Sequence, residues 1–486
     1  MQPISRRQAL LLGGLGVAGT AAGTAGLLWT LSPQLATGDG LIQPEEHRST
    51  GGLLDVRLEA APGPLLLAGR QASALGYNGG IPGPTLRVRA GDVLKVRLVN
   101  SLAEATNLHV HGLHVSPEGN GDNIFVEVNP GSSFDYEYRL PADHPPGVYW
   151  YHPHRHGTVA DQIFGGLFGA IVVEDPQPLA ASAERVLVVS DTTMDAAGNI
   201  PAVSAMERMT GREGQLVLVN GQLTPQLTAR PGQRERWRII NACVARYLRL
   251  RLDGARLQLL GMDSGRFPLP ESVEELLLLP GNRADLLVTT GTSDSAVRYL
   301  YQDRGSMTGM PAPGFGPPGP GGEPEGAVLA TLRIAGEPDE APGAVPAEYS
   351  PPDLRSSAVA VHRRFILAAG MGMGMGPGMM RFTINGREFN GARTDTTVAA
   401  GSIEEWTLTN TGPMDHPFHL HVWPMQIIEQ NGQAVRAAVW QDVVNVPADG
   451  QVIVRVAFTD FRGRSAYHCH ILDHEDLGMM GVLEVA

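Results

Sequence analysis

Disulfide bonding has almost no material in this chain. Its 486 residues include only two cysteines, Cys243 and Cys469. If Cys469 holds a metal, no disulfide can form within the chain, and Cys243 reads as a small buried apolar residue. Excess positive charge is missing as well: 37 basic residues stand against 50 acidic ones, a net charge of −13, which argues against a nucleic-acid partner. Long amphipathic helical patterns are scarce. In their place stand short alternating runs such as Thr85-Leu-Arg-Val-Arg-Ala90 and Asp92-Val-Leu-Lys-Val-Arg-Leu-Val99, set among 60 glycines and 37 prolines. This pattern predicts many short strands and an all-β class, and the length predicts about three domains.

One long apolar run does occur, from Ala9 to about Leu31, directly after Ser5-Arg6-Arg7. Residues 1–37 resemble a twin-arginine export signal, cleaved near Ala36, although Ala9 stands where such signals usually carry Phe. The expected location is periplasmic or extracellular, with no stable membrane insertion once the signal is removed. An uncleaved anchor is the alternative.

The rest of the chain repeats itself three times. Arg89-Ala-Gly91 through Asn100, Arg230-Pro-Gly232 through Asn241 and Ala399-Ala-Gly401 through Asn410 each place a Gly at a turn, an alternating strand after it, and an Asn nine residues beyond the Gly. Each is preceded by an Asn-Gly pair, at Asn78-Gly79, Asn220-Gly221 and Asn385-Gly386. The reading is three copies of one β-domain, at 45–176, 177–335 and 358–486.

Counting nine and eleven residues past the terminal Asn reaches His109 and His111 in the first copy, His419 and His421 in the third, and Leu250 and Leu252 in the second. A second His-x-His follows at His152 and His154, and at His468 and His470, again without a counterpart in the second copy. The second copy therefore reads as a spacer. Between His468 and His470 stands Cys469, where the first copy has Pro153. Cys469, His474 five residues on and Met479 five beyond follow the ligand order of a blue-copper site, with His416 available as the second imidazole. On an extended strand Cys469 faces one way and its two neighbours the other, so one strand would touch two metal sites. The eight histidines of the four His-x-His pairs are left for a site shared by the first and third copies. They suit three copper ions; with the blue copper, four electrons can be stored, which is the number needed to reduce dioxygen to water.

On the motifs His109-Val-His-Gly112, Trp150-Tyr-His-Pro-His154, His416-Pro-Phe-His-Leu-His421 and His468-Cys-His470 through Met479, the chain resembles the three-domain multicopper oxidases, which include laccases and bacterial cuprous oxidases. The resemblance implies three cupredoxin-like Greek-key sandwiches. It implies four copper ions: a type 1 ion on His416, Cys469, His474 and axial Met479, a type 2 ion on His109 and His419, and a type 3 pair on His111, His152, His154, His421, His468 and His470. The implied partners are dioxygen and a small donor, either a phenol or aromatic amine or a metal ion such as Cu(I), as in copper homeostasis. A copper-binding or assembly protein that keeps the fold without turnover is the alternative. His47, His114, His144, His156 and His362 remain structural or surface residues, with His156 a possible neighbour of the site.

Glu475, beside His474, resembles a proton-delivering position of bacterial members, and Asp122 resembles the acid beside the type 2 copper. Met414 resembles a substrate-copper methionine of cuprous oxidases, although Gly412 stands where an acid is expected, with Asp415 nearby. The run Gly370 to Met380 supplies Met371, Met373, Met375, Met379 and Met380, five of the sixteen methionines, and reads either as soft ligands for Cu(I) or as a glycine linker.

Overall fold

The computed structural model describes residues 40–306, 326–339, 343, 350–371 and 380–486. Residues 1–37, read from the sequence as an export signal, residues 307–325 and Met373, Met375 and Met379 lie outside the described residues, as does the side chain of Met371.

The strands form three pairs of sheets. In the first pair a four-stranded sheet runs Arg70–Tyr77, Leu53–Leu67, Val93–Asn100, Ser133–Arg139, and a five-stranded sheet ends in the edge pair Gly147–His152 and His109–His111. Leu54, Val56, Leu58, Leu94, Val96 and Leu98 alternate inward from the first sheet to meet Tyr149, Tyr151, Ile171 and Val173 of the second. This period of two is the one that the sequence displays. The second pair has six and five strands, and the third has seven and five. Each pair encloses its own core, around Trp237 in the second and Trp406 in the third. The all-β fold of three cupredoxin-like sandwiches expected from the sequence is the fold observed.

The repeat has a structural meaning that is the same in every copy. In each sandwich two strands that are not neighbours in sequence pair in parallel, in register Ala60↔Asn100, Val189↔Asn241 and Leu367↔Asn410. Such parallel pairing requires a crossover connection between the two strands rather than a tight hairpin. The Asn-Gly pairs are turns with positive φ at both residues: 52° and 75° at Asn78-Gly79, 50° and 75° at Asn220-Gly221, 54° and 72° at Asn385-Gly386. These are the angles for which Asn and Gly are favoured.

The Asn that closes each repeat is a bracket. Asn100 Nδ2 donates to the carbonyls of Glu104 and Val128 while its Oδ1 accepts from Leu102 N. Asn241 donates to Arg246 and Leu278 and accepts from Cys243 N. Asn410 donates to Met414 and Val446 and accepts from Gly412 N. One buried amide thus satisfies two backbone groups of the turn leading into the next strand and one carbonyl of a distant segment, and each group left bare would cost roughly 1–3 kcal/mol. That next strand carries His109 and His111, or His419 and His421. Leu250 and Leu252 occupy the place in the second sandwich, where they are core residues.

Three short α-helices, α1 (Val159–Phe164), α2 (Ala205–Thr210) and α3 (Leu472–Asp476), and a 3-10 turn at Leu354–Ser356 complete the described fold. Trp150, Ile163, Val186, Ile240 and Leu472 share one apolar cluster, which joins all three sandwiches beside the histidine strands. No described helix is long and apolar enough to cross a membrane.

Candidate metal centre

Two histidine strand pairs have the same register. His109 lies opposite His152 in the first sandwich, and His419 lies opposite His468 in the third. With side chains alternating along each strand, all eight imidazoles of the His-x-His pairs point into the gap between the two sandwiches, and every one of them is buried.

Within this cluster the ring nitrogens gather in groups of three. His154 Nε2 and His421 Nε2 lie 3.1 and 3.0 Å from His468 Nε2. His111 Nδ1 lies 3.4 Å from His152 Nε2, and His470 completes that trio. His109 and His419 form a third group with His111, and their Nε2 atoms have no hydrogen-bond partner. Nitrogens that converge bare in a buried site are costly unless something binds them. Each trio is the donor set that borderline divalent and monovalent transition metals take.

The outer nitrogens decide which atom each ring turns inward. His109 Nδ1 sits 2.9 Å from Asp122 Oδ1, His419 Nδ1 is 2.8 Å from the Asp442 carbonyl, His152 Nδ1 is 2.9 Å from the Pro153 carbonyl and His468 Nδ1 is 3.0 Å from the Cys469 carbonyl. His111 is reversed. Its Nε2 is held 2.8 Å from Asp442 Oδ1, leaving Nδ1 for the site. Burial holds His152 down at about 3 and the other seven rings well below the ordinary imidazole range, so all are neutral and able to ligate.

The cysteine group lies on the opposite side of the same strand. Cys469 Sγ is 3.4 Å from His416 Nδ1 and 3.8 Å from His474 Nδ1. Met479 is fully buried in the same core. Helix α3 turns the chain back so that His474 and Met479 return to Cys469, and the Cys469 amide donates to the Met479 carbonyl at 3.0 Å. The His474 ring stacks on Phe382 at 4.3 Å. Burial raises the Cys469 thiol far above its ordinary range, so the thiolate of this site requires a cation. Two imidazoles, one sulfur and a nearby thioether fit copper better than a hard ion.

Both predicted acids are at the imidazole cluster. Asp122 touches His109, accepts the Val110 amide at 3.1 Å and is pushed up to about 8 by burial. Glu475 is fully buried, with Oε2 3.1 Å from His468 Nδ1 and Oε1 3.6 Å from His154 Nε2, and burial followed by the neighbouring Asp476 raises it well above the carboxylate range. Met414 is buried near His416, and its sulfur accepts from Arg304 Nη1 at 3.2 Å. Met380 packs half-buried against the core of the third sandwich.

The second sandwich supplies more than spacing. Arg283 forms a fork on Asp442, Nη1 to Oδ1 at 2.6 Å and Nη2 to Oδ2 at 2.7 Å, and Ser264 Oγ donates to Oδ2 at 2.6 Å. Gly281, at φ 85°, lies so near the His470 ring that an added Cβ would stand 2.8 Å from it. None of these residues belongs to a repeated motif, and only the meeting of three sandwiches gives them a role.

Three multicopper oxidase family models match residues 62–178, 183–313 and 367–486. The chain belongs to the multicopper oxidases. It is 27% identical to multicopper oxidase mco of Staphylococcus haemolyticus over 85% of this chain and 84% of the relative. A solved multicopper oxidase of Campylobacter jejuni, described as a metallo-oxidase, is 31% identical with a TM-score of 0.81, covering 93% of this chain and 96% of that one. The cell division protein FtsP of Photorhabdus laumondii is 27% identical over 85% of each chain. The family is one of oxidoreductases that bind copper, and the buried nitrogens and sulfurs of this chain fit that metal.

Proposed function

We propose that this chain is an exported oxidase that takes single electrons from a small donor and passes four of them to dioxygen. The reading assigns a type 1 copper to His416, Cys469, His474 and Met479, and a type 2 copper to His109 and His419. It assigns the type 3 pair to the two trios His111, His152, His470 and His154, His421, His468. Four bound copper ions would supply the redox steps; the chain supplies position, dryness and protons. The observation that carries the reading is the strand His468-Cys469-His470. Its middle residue belongs to the cysteine group and its outer residues to the two trios, so a single peptide unit separates the two kinds of site.

Dioxygen, four electrons and four protons give two waters, and the proton side falls to the acids. Glu475 lies beside one ligand of the first sandwich and one of the third and is held protonated by its burial, ready to donate. Asp122 fixes the His109 ring and holds a second proton. The double arginine at Arg6-Arg7 fits export of a protein already folded around its metal.

The relationship to FtsP motivates a second reading, a binding protein that keeps the fold without turnover. The complete ligand set favours the oxidase. Metal analysis and oxygen uptake separate the two: the oxidase retains four copper ions per chain, is blue, and consumes oxygen with Cu(I) or a methoxyphenol. A colourless protein that takes up no oxygen with either donor would establish the binding protein instead.

A further inference from the structure

The outer side of the cysteine group is closed by the second sandwich. Helix α2 starts in a capping box, in which Glu207 N donates to Ser204 Oγ at 3.2 Å and Ser204 N to Glu207 Oε2 at 2.8 Å. It ends at Gly211, where an added Cβ would stand 2.7 Å from Ile471 Cγ2, so the helix end is pressed against the segment between His470 and α3. The carbonyl of Met209, in the last turn, accepts from His474 Nε2 at 3.1 Å. The ligand whose edge would otherwise face a donor is fully buried.

Arg304 locks this cover in place. It is 4% exposed, and its Nη2 donates to the carbonyls of Thr210 at 2.9 Å and Gly211 at 3.4 Å. Its Nη1 reaches the Met414 sulfur at 3.2 Å. The backbone is fixed too: the Arg304 carbonyl accepts from Asp415 N at 2.7 Å, and Gly305 bridges Met414 as in an antiparallel ladder. Among the described residues, the acids nearest Met414 are otherwise engaged. Asp415 accepts from Asn445 Nδ2 and from Ala448 N, both at 2.8 Å, and position 412 is glycine. Glu213, the carboxylate nearest Arg304, is shared with Arg246 at 3.1 Å.

A guanidinium stays charged at any working pH. Placed on the thioether, it occupies the lone pair that a soft cation would use and repels that cation. We propose that Arg304 determines donor class: it closes Met414 to Cu(I) and holds α2 over His474, so that the donor is an organic reductant without positive charge. One electron then enters through the Met209 carbonyl and His474, and the donor leaves as its one-electron oxidised form. This inference rests on the oxidase reading.

Two substitutions test it on the copper-loaded protein. Arg304→Met removes the charge and adds a second thioether; Arg304→Lys keeps the charge but loses the fork to Thr210 and Gly211. The expected result is a kcat/KM for Cu(I) relative to a methoxyphenol that rises on the order of tenfold or more in Arg304→Met and stays near the wild-type value in Arg304→Lys. Should Arg304→Met not fold, Arg304→Gln is expected to move the ratio in the same direction. A second readout needs no turnover: under anaerobic, fully reduced conditions, competition with a chromophoric Cu(I) chelator should show one further Cu(I) bound by Arg304→Met and none by the wild type. An unchanged donor ratio in Arg304→Met, equal shifts in both variants, or an extra Cu(I) in the wild type that Met414→Leu abolishes would overturn the assignment. Failure of the wild type to take up oxygen with any donor would strike the oxidase reading itself.

Discussion

Asp442 holds two imidazoles at once, and His111 is the one it reverses. Its Oδ1 lies 2.8 Å from His111 Nε2, and its carbonyl lies 2.8 Å from His419 Nδ1. A residue of the third sandwich, pinned by Arg283 of the second, thereby sets the ring orientation of a histidine of the first. Replacing Asp442 by Asn should weaken copper binding in the imidazole cluster about 10- to 100-fold, the usual cost of losing a ligand's supporting carboxylate. It should also leave the buried Arg283 with Asp263, 3.3 Å away, as its remaining carboxylate partner, at less than the roughly 3–5 kcal/mol of a buried charge left wholly unpaired. Copper content per chain and urea unfolding would measure both effects, with the blue colour of the cysteine group expected to persist.

Gly281 is a steric counterpart. Its φ of 85° and the 2.8 Å approach of an added Cβ to the His470 ring mean that Gly281→Ala must push the ring aside. The expected outcome is loss of metal from the trio of His111, His152 and His470 with the fold retained. A full copper complement in this variant would show that the ring has room to move.

Glu475→Gln and Asp122→Asn keep size but remove the acid. Reoxidation of the reduced protein by oxygen should slow on the order of 100-fold in Glu475→Gln, the scale of a lost general acid, and less in Asp122→Asn. The blue colour should be unchanged in both. Stopped-flow recovery of that colour after an oxygen pulse is the measurement, and an unaltered rate would remove the residue from the proton path.

Across the junction of the first and third sandwiches, His114 Nδ1 lies 2.9 Å from the Val422 carbonyl and its Nε2 contacts Asp460. Burial disfavours the imidazolium, but bonding to Asp460 and to the carbonyl outweighs it and raises His114. Asp460 is lowered, burial being outweighed by the same partner. The raised imidazole contributes fully below its unfolded value near 6.5 and loses the contribution as pH climbs through its higher folded value. The depressed carboxylate contributes above about 4 and loses it on further acidification. The clamp is therefore strongest between about pH 4 and 6.5. With Asp460 partly exposed, His114→Gln should cost less than about 1 kcal/mol near pH 6, and the cost should shrink as pH climbs through the raised folded value of His114, read from urea unfolding across that range.

Stripping copper should destabilise the chain, since a ligand that binds only the folded state adds stability in proportion to the logarithm of its saturation. A lower Tm for the copper-free protein is expected, together with faster amide exchange in the strands His109–His111 and His416–Leu420.

Much of this was open to reading from the sequence, for a physical reason. A ligand strand has to be bracketed and has to alternate, so Asn100 and Asn410 mark the count to His109 and His419, and the Cys469, His474, Met479 spacing follows from one turn of helix between strands. Contacts that depend on how sandwiches meet leave no such period. Arg283, Asp442, Met209 and Arg304 stand in unrelated parts of the sequence, and the second repeat, read as a spacer because Leu250 and Leu252 replace histidines, in fact braces the cluster through Arg283 and Gly281.

His154 and His468, whose Nε2 atoms are 3.1 Å apart, are separated by 314 residues. A ribosome must translate the first, second and most of the third sandwich before this trio has all its members. Until His421 is made the nascent chain carries one of the three ligands of this trio, unable to capture a metal in the final geometry. Completion of this trio therefore waits on the last fifth of the third sandwich, and a chain truncated before His468 lacks the site altogether.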